Sequence, residues 1–198
     1  MITTIAFDVG NVLVNNGNFP RSIMKGISQA LDIPLGKLVE KYDQLLPRME
    51  AGNEKIYFLV GKRLYPVLKD LYQDAAKNIF ELNIELFNIA QDLKKNFKVG
   101  ILSNIDQYLA QIPVHLELYN SFDPKLVVLS YKVKLRKPDP EIYRLFLKKA
   151  KSLPEECLFV DDKKDNIETA RKLGMKAILF KNNLQFKKEL FKYLLPIP

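Results

Sequence analysis

Residues 1–14, MITTIAFDVGNVLV, decide the fold. From Ile2 to Val9 the run is apolar, rich in β-branched and aromatic side chains, and it stops at Gly10, the pattern of a buried strand meeting a loop. Working outward, runs of the same kind recur at Lys98 to Leu102, Leu126 to Leu129, Cys157 to Val160 and Lys176 to Phe180. Helical periods fill the intervals: Ile79, Leu82, Leu86, Ala90 and Leu93 form one apolar stripe, and Ile142, Leu145 and Phe146 begin another. Short apolar strands alternating with amphipathic helices predict an α/β fold, a Rossmann-like, doubly wound parallel sheet.

One interval breaks the rhythm. Roughly ninety residues separate Val9 from Lys98, where a strand-to-strand crossover takes a few tens. The stretch from Phe19 to Asn78 carries only helical patterns, with Pro20, Pro34, Pro47 and Pro66 punctuating short helices and Gly52-Asn53 marking a turn. It is expected to be a small helical cap, residues 17–78, inserted after the first strand into a core made of residues 1–16 and 79–198.

Composition narrows the chemistry. With 198 residues, 47% of them hydrophobic and 27% charged, the chain has the make-up of a globular protein with one proper core. No apolar run approaches the ~20 residues of a membrane span, and the strand-like start lacks the basic region of a signal peptide, so no membrane partner and a cytoplasmic location are expected. One cysteine, Cys157, and one histidine, His115, exclude a Cys/His zinc site and disfavour a cysteine–histidine nucleophile. Cys157 is expected to be a core thiol and His115 a surface or partly buried residue. The 31 Lys and Arg against 23 Asp and Glu give +8. These lysines are scattered over helix faces, as at Lys94, Lys95, Lys148, Lys149, Lys187 and Lys188, and form no groove for nucleic acid.

In open parallel sheets ligands bind at the carboxyl ends of the strands. There the sequence is polar: Asp8-Val9-Gly10-Asn11 after the first strand, Ser103-Asn104 after the second, Arg136-Lys137-Pro138-Asp139 before a later helix, and Asp161-Asp162-Lys163-Lys164-Asp165-Asn166 after the fourth. Taken singly, each has a bland reading. Ser103-Asn104 makes a good helix N-cap, and Asp161, Asp162 and Asp165 suit a helix N-terminus. Brought to one edge, however, Asp8, Asp161 and Asp162 repel each other unless a divalent cation and a lysine compensate. Oxygen-only ligands favour Mg²⁺. Lys137, Ser103 and Asn104 add the cationic and neutral donors that a phosphoryl group requires.

In order along the chain, FDVGNVLV, ILSNI, RKPDPEIY and FVDDKKDNIETARKLGM resemble the four motifs of the haloacid dehalogenase superfamily of hydrolases. The pattern is similar to that of the sugar-phosphate phosphatases and the N-terminal phosphatase domains of epoxide hydrolases, and the helical insert resembles that superfamily's C1 cap. The resemblance implies a Mg²⁺-dependent hydrolase of a small-molecule phosphomonoester. It makes Asp8 the nucleophile that carries an aspartyl-phosphate, with Asp8, the Gly10 carbonyl and Asp162 as metal ligands and Asp161 binding directly or one shell further out. Ser103 and Asn104, with Asn11, would contact the phosphoryl group, Lys137 would neutralise it and orient Asp8, and Asn166, one helical turn past Asp162, would face the same site. The spacing to Asn166 favours Asp162 as the nearer ligand. One departure stands out: most phosphatases of the superfamily carry a general-acid Asp where this chain has Gly10. General acid–base help is worth about 10²–10⁴ in rate, which keeps two alternatives open, a catalytically weak phosphate-binding or interaction protein and a metal-free haloacid dehalogenase. The acidic segment at Asp161 opposes the latter.

Overall fold

The computed structural model describes residues 1–16, 21–53 and 80–194. In chain order the elements are β1 (Thr4–Phe7), β2 (Val14–Asn15), α1 (Arg21–Leu31), α2 (Leu35–Glu50), β3 (Glu81–Leu82), α3 (Ile84–Leu93), β4 (Lys98–Ser103), α4 (Pro113–Asn120), β5 (Val127–Leu129), the single turn α5 (Ser130–Val133), α6 (Pro140–Ala150), β6 (Cys157–Asp161), α7 (Lys164–Lys172), β7 (Lys176–Leu179) and α8 (Asn183–Leu194). Five strands form one sheet in the order β5-β4-β1-β6-β7, every neighbouring pair parallel. The chain therefore winds outward from β1 in both directions, and the switch in direction falls at β1, between β4 and β6. Such a switch opens a crevice at the carboxyl ends of the strands.

The strands are buried on both faces, as parallel strands covered by helices must be. One core cluster gathers Ile5, Phe7, Leu86, Ile101, Val160 and Phe186 on one side of the sheet. The other gathers Ala6, Leu102, Tyr143, Phe146 and Phe159. Alternation along β1 sends Ile5 and Phe7 to the first cluster and Ala6 to the second, so the strand ends with Asp8 just beyond the packed region. No helix among the described residues is long and apolar enough to cross a membrane.

The five strands match the apolar runs, with shifted ends. Ser103 and Asp161 are the last residues of their strands, paired with Leu129 and Leu179, rather than the first residues after them. Leu126 leaves the sheet for a 3-10 turn, where the Asp123 side chain accepts from Lys125 N–H. The stripe expected from Ile79 begins too early. Glu81 and Leu82 pair antiparallel with Asn15 and Val14, and the helix starts only at Ile84, after Asn83 caps it by accepting the Leu86 N–H. A local N-cap outranks the periodicity there. Of the expected helical insert, α1 and α2 are described, and residues 54–79, with Tyr57, Phe58, Tyr65 and Pro66, lie outside the described residues, as do Phe19 and Pro20. Pro47 does not end α2, which runs on to Glu50 although the proline has no N–H for the preceding turn. His115 is 3% exposed rather than at the surface, its Nδ1 2.6 Å from the Leu109 carbonyl oxygen and its ring against Phe80 and Tyr119. Cys157 is a buried free thiol, pushed up to about 12 by burial.

Two glycines permit close approach. At Gly52 (φ +68°) a side chain would overlap the Tyr131 carbonyl, so the turn after α2 seats against α5 only with glycine there. At Gly100, inside β4, a Cβ would stand 2.5 Å from the Leu126 carbonyl oxygen and 3.1 Å from the Phe146 ring. Gly100→Ala is expected to cost about 1–3 kcal/mol by overpacking. It should appear as a lower urea midpoint with an unchanged m-value.

Candidate functional site

The site begins with the backbone of β1. The Asp8 N–H donates to the Val160 carbonyl of β6, the last hydrogen bond of that strand pair, and leaves the Asp8 side chain at the crevice. Beyond it the chain reverses: the N–H groups of Val12 and Val14 donate to the Val9 carbonyl, and Asn11 takes a left-handed φ of 56°. That tight loop brings Gly10, Asn11 and Asn16 to the same side as Asp8.

Lys137 is the centre of the site. Its side chain is wholly buried, with Nζ 2.9 Å from Asp8 Oδ1 and 2.6 Å from Asp161 Oδ2, and it lies over the Phe159 ring at 5.2 Å. Asn104 fixes its main chain at both ends, accepting the Lys137 N–H and donating to the Lys137 carbonyl, each at 2.8 Å. Burial pulls the ammonium down, but Asp161 and Asp8 outweigh burial and hold it above its ordinary value. Asp8 is moved the other way. Burial is the largest influence, Lys137 opposes it, and Asp161 and Asp162 add to it, so the carboxyl is pushed up to about 7.

Asp161 is saturated. Its two oxygens accept from Lys137 Nζ, twice from Asn166 Nδ2 at 3.0 Å, and from the Lys163 N–H at 2.8 Å. Asn166, expected to face this site, does so through Asp161. At the start of a helix the side chain one turn in points back towards the preceding strand end. Asp162 is left open: Oδ2 accepts from Asn11 Nδ2 at 3.1 Å, whereas Oδ1 is buried without a partner.

Oxygens of Asp8, Asp161 and Asp162 lie within 4.8 Å of one another. Three carboxylates face one ammonium, which leaves two negative charges uncompensated in a buried setting, and one oxygen is orphaned. A hard divalent cation answers both deficits, so the donor set fits one.

A cavity of about 230 Å³ opens over these groups. Asp8, Gly10, Asn11, Asn104, Lys137, Asp162 and Asn166 line it. Ser103, 1% exposed, and Asp161, wholly buried, do not. A shallower depression beside it is rimmed by Arg136, Lys163 and Lys164, a cationic mouth for an anion.

Several cavity residues escape the sequence reading. Glu50, at the end of α2, is 7% exposed, and its Oε2 accepts from Arg136 Nε at 3.1 Å and Nη2 at 2.7 Å, tying the helical insert to the Lys137 segment. Asp106 is 1% exposed. One of its oxygens accepts from the N–H groups of Tyr108 and Leu109, the other is buried without a partner, and burial pushes the carboxyl up to about 6. Tyr42 and Leu46 of α2 complete the lining with Asn16. Tyr42 is fully buried and also reaches the cavity. A charged residue at a helix end near a turn signal was the available clue for Glu50, and Asp106, three residues past Ser103, was the clue for its loop.

Comparison with known proteins agrees with this fold. A family model described as haloacid dehalogenase-like hydrolase matches residues 2–174. The chain is 26% identical to a D-ribitol-5-phosphate phosphatase of Bacteroides thetaiotaomicron, over 96% of this chain and 97% of that one. It is 34% identical to the bifunctional epoxide hydrolase 2 of Mus musculus over 94% of its own length, and spans 38% of that relative. Its fold resembles that of a haloacid-dehalogenase-family enzyme of Bacteroides thetaiotaomicron solved with magnesium and inorganic phosphate, at a TM-score of 0.67 and 21% identity, covering 91% of this chain and 95% of that one.

The Asp8 environment predicts its own signature in stability. A carboxyl whose value rises from 3.8 to about 7 on folding stabilises the fold below 3.8 and loses that contribution as the pH rises through 7. In chelator, the wild type should lose stability relative to Asp8→Asn across that window. At pH 8 the variant should melt higher by about 2–4 °C, roughly 1 kcal/mol for a domain of this size, by calorimetry.

Proposed function

Because the chain belongs to the haloacid dehalogenase-like hydrolase family, we propose that it is a Mg²⁺-dependent phosphomonoesterase of a small, soluble, hydroxylated metabolite in the cytoplasm. The observation that carries this reading is the Asp8 carboxylate, anchored through one oxygen on a buried Lys137 beneath a small polar cavity, beside an Asp162 oxygen that nothing satisfies.

Asp8 is the nucleophile. Lys137 holds it in one rotamer and presents its remaining oxygen to phosphorus, while the same ammonium screens the incoming dianion. The Asp8 carboxylate forms a bond to phosphorus and the ester oxygen departs, leaving an aspartyl-phosphate that water then hydrolyses. Asp8, the Gly10 carbonyl and Asp162 would hold the magnesium, which when bound supplies positive charge to the phosphoryl oxygens and allows Asp8 to stay ionised. Asp161 positions Lys137 and the start of α7 rather than binding the ion, since its lone pairs are already engaged. Asn104 holds the Lys137 main chain, Asn11 steadies Asp162, and Asn166 steadies Asp161. A haloacid substrate would meet the open Asp162 carboxylate, which opposes an anion without a metal.

The organic group belongs to the other wall. The cavity lies below the ~300–1,000 Å³ usual for drug-sized ligands, and Asn16 and Glu50 offer it polar groups. A sugar or polyol phosphate fits, in keeping with the ribitol-phosphate relative.

Hydrolysis of p-nitrophenyl phosphate and of D-ribitol 5-phosphate, followed by phosphate release, tests the reading. Turnover is expected with Mg²⁺ and not with EDTA, and Asp8→Asn should abolish it. Lys137→Met should lower kcat by about 10²–10³, the cost of losing one preorganised charge-stabilising donor. Magnesium-independent turnover, or turnover surviving Asp8→Asn, would overturn it.

A further inference from the structure

Gly10 and Asn16 share one space. A Cβ built on Gly10 would lie 2.8 Å from Asn16 Nδ2, so the Asn16 amide occupies the volume that a side chain at position 10 would fill. Both residues line the cavity with Asp8. The other asparagines of that wall are committed: Asn11 donates to Asp162, Asn166 to Asp161, and Asn104 is engaged at both ends by Lys137. Asn16 makes no hydrogen bond to any described residue and keeps its N–H groups for the cavity.

Resting on the phosphomonoesterase reading, we propose that Asn16 is a catalytic residue whose side-chain N–H hydrogen-bonds the departing ester oxygen, and that it does so because Gly10 leaves the room. As the Asp8 oxygen bonds to phosphorus, the bond from phosphorus to the ester oxygen breaks and its electron pair stays on that oxygen. In-line displacement sends this oxygen away from Asp8 and into the cavity, the side on which Asn16 stands. An amide can stabilise the oxyanion but holds no acidic proton to give. The alkoxide takes its proton from water, and the resulting hydroxide attacks phosphorus of the aspartyl-phosphate, so that alcohol and phosphate are released and Asp8 is regenerated. The carboxyl groups nearby are otherwise occupied: Glu50 is held by Arg136, and the free Asp106 oxygen is walled off by protein.

An oxyanion that receives a hydrogen bond without a proton makes the rate depend on how well the oxygen bears charge. The dependence is greatest for alkoxides, whose conjugate acids lie near water at ~15.7, and smaller for phenolates at ~10. Phenyl phosphate and cyclohexyl phosphate have similar size and differ in this property. The ratio of kcat/KM for cyclohexyl over phenyl phosphate is the readout, since a structural role would move both together. Asn16→Ala should lower that ratio about 10- to 100-fold, the range for a hydrogen bond to a charged group. Gly10→Ala should lower it similarly with Asn16 still present, because the new methyl meets only the far end of the Asn16 side chain and displaces it. The double variant should fall no further than either single one. A ratio unmoved by Asn16→Ala, or single effects that add, would overturn the assignment. If the wild type with Mg²⁺ hydrolyses neither ester, the phosphomonoesterase reading itself fails, and the Asn16 assignment with it.

Discussion

The buried contact of Lys137 with Asp8 and Asp161 is the constraint on which the rest of the site depends. An ammonium with no exposed surface is costly in a protein interior unless carboxylates meet it at hydrogen-bond distance, and here two do, at 2.9 and 2.6 Å. Their positions are set by the sheet. Asp8 follows β1 and Asp161 ends β6, strands paired in register from Thr4 with Cys157 to Phe7 with Val160. The two carboxylates thus arrive side by side, and Lys137 reaches both from a segment that Asn104, just past β4, clamps in place. Removing the lysine would leave like charges facing each other in a dry setting. Adding a divalent cation completes what the lysine leaves unfinished, because Asp162 still has an oxygen with no partner.

Around that anchor the cavity has two chemically distinct walls. The floor holds cationic and amide donors, and Glu50 and the loop at Asp106 line the far side. The Arg136–Glu50 contact joins them: Arg136 stands next to Lys137 in the chain and grips the end of α2. The residue next to the buried lysine thus also holds the part of the insert that lines the cavity. The glycines at 10 and 52 are the points where backbone or side-chain approach makes the arrangement compact.

Much of the fold was legible in the sequence, since a parallel strand buried on both faces must be an unbroken apolar run, and β1, β4, β5, β6 and β7 all read that way. The short ribbon of β2 and β3 was not, because two residues carry no period and Leu82 fits a helical stripe equally well. Asp8, Asn104, Lys137, Asp162 and Asn166 were marked as polar residues following strands or opening helices, and they line one cavity. Their individual partners were not readable. Spacing turned Asn166 towards this site, and packing set its amide on Asp161, at the end of β6.

The sequence by itself determined the alternation of strands and helices, the polar segments at the strand ends and the presence of glycine at position 10, since these depend on periodicities and residue types within a few positions. Tertiary structure alone decided that Lys137 bridges Asp8 and Asp161, that Asp161 is saturated while Asp162 stays open, that Glu50 and Asp106 wall the cavity, and that Asn16 fills the place beside Gly10. Each of these is a matter of which side chain reaches a given point first, and that is set by close packing between segments distant in the chain, where an ångström separates a hydrogen bond from none.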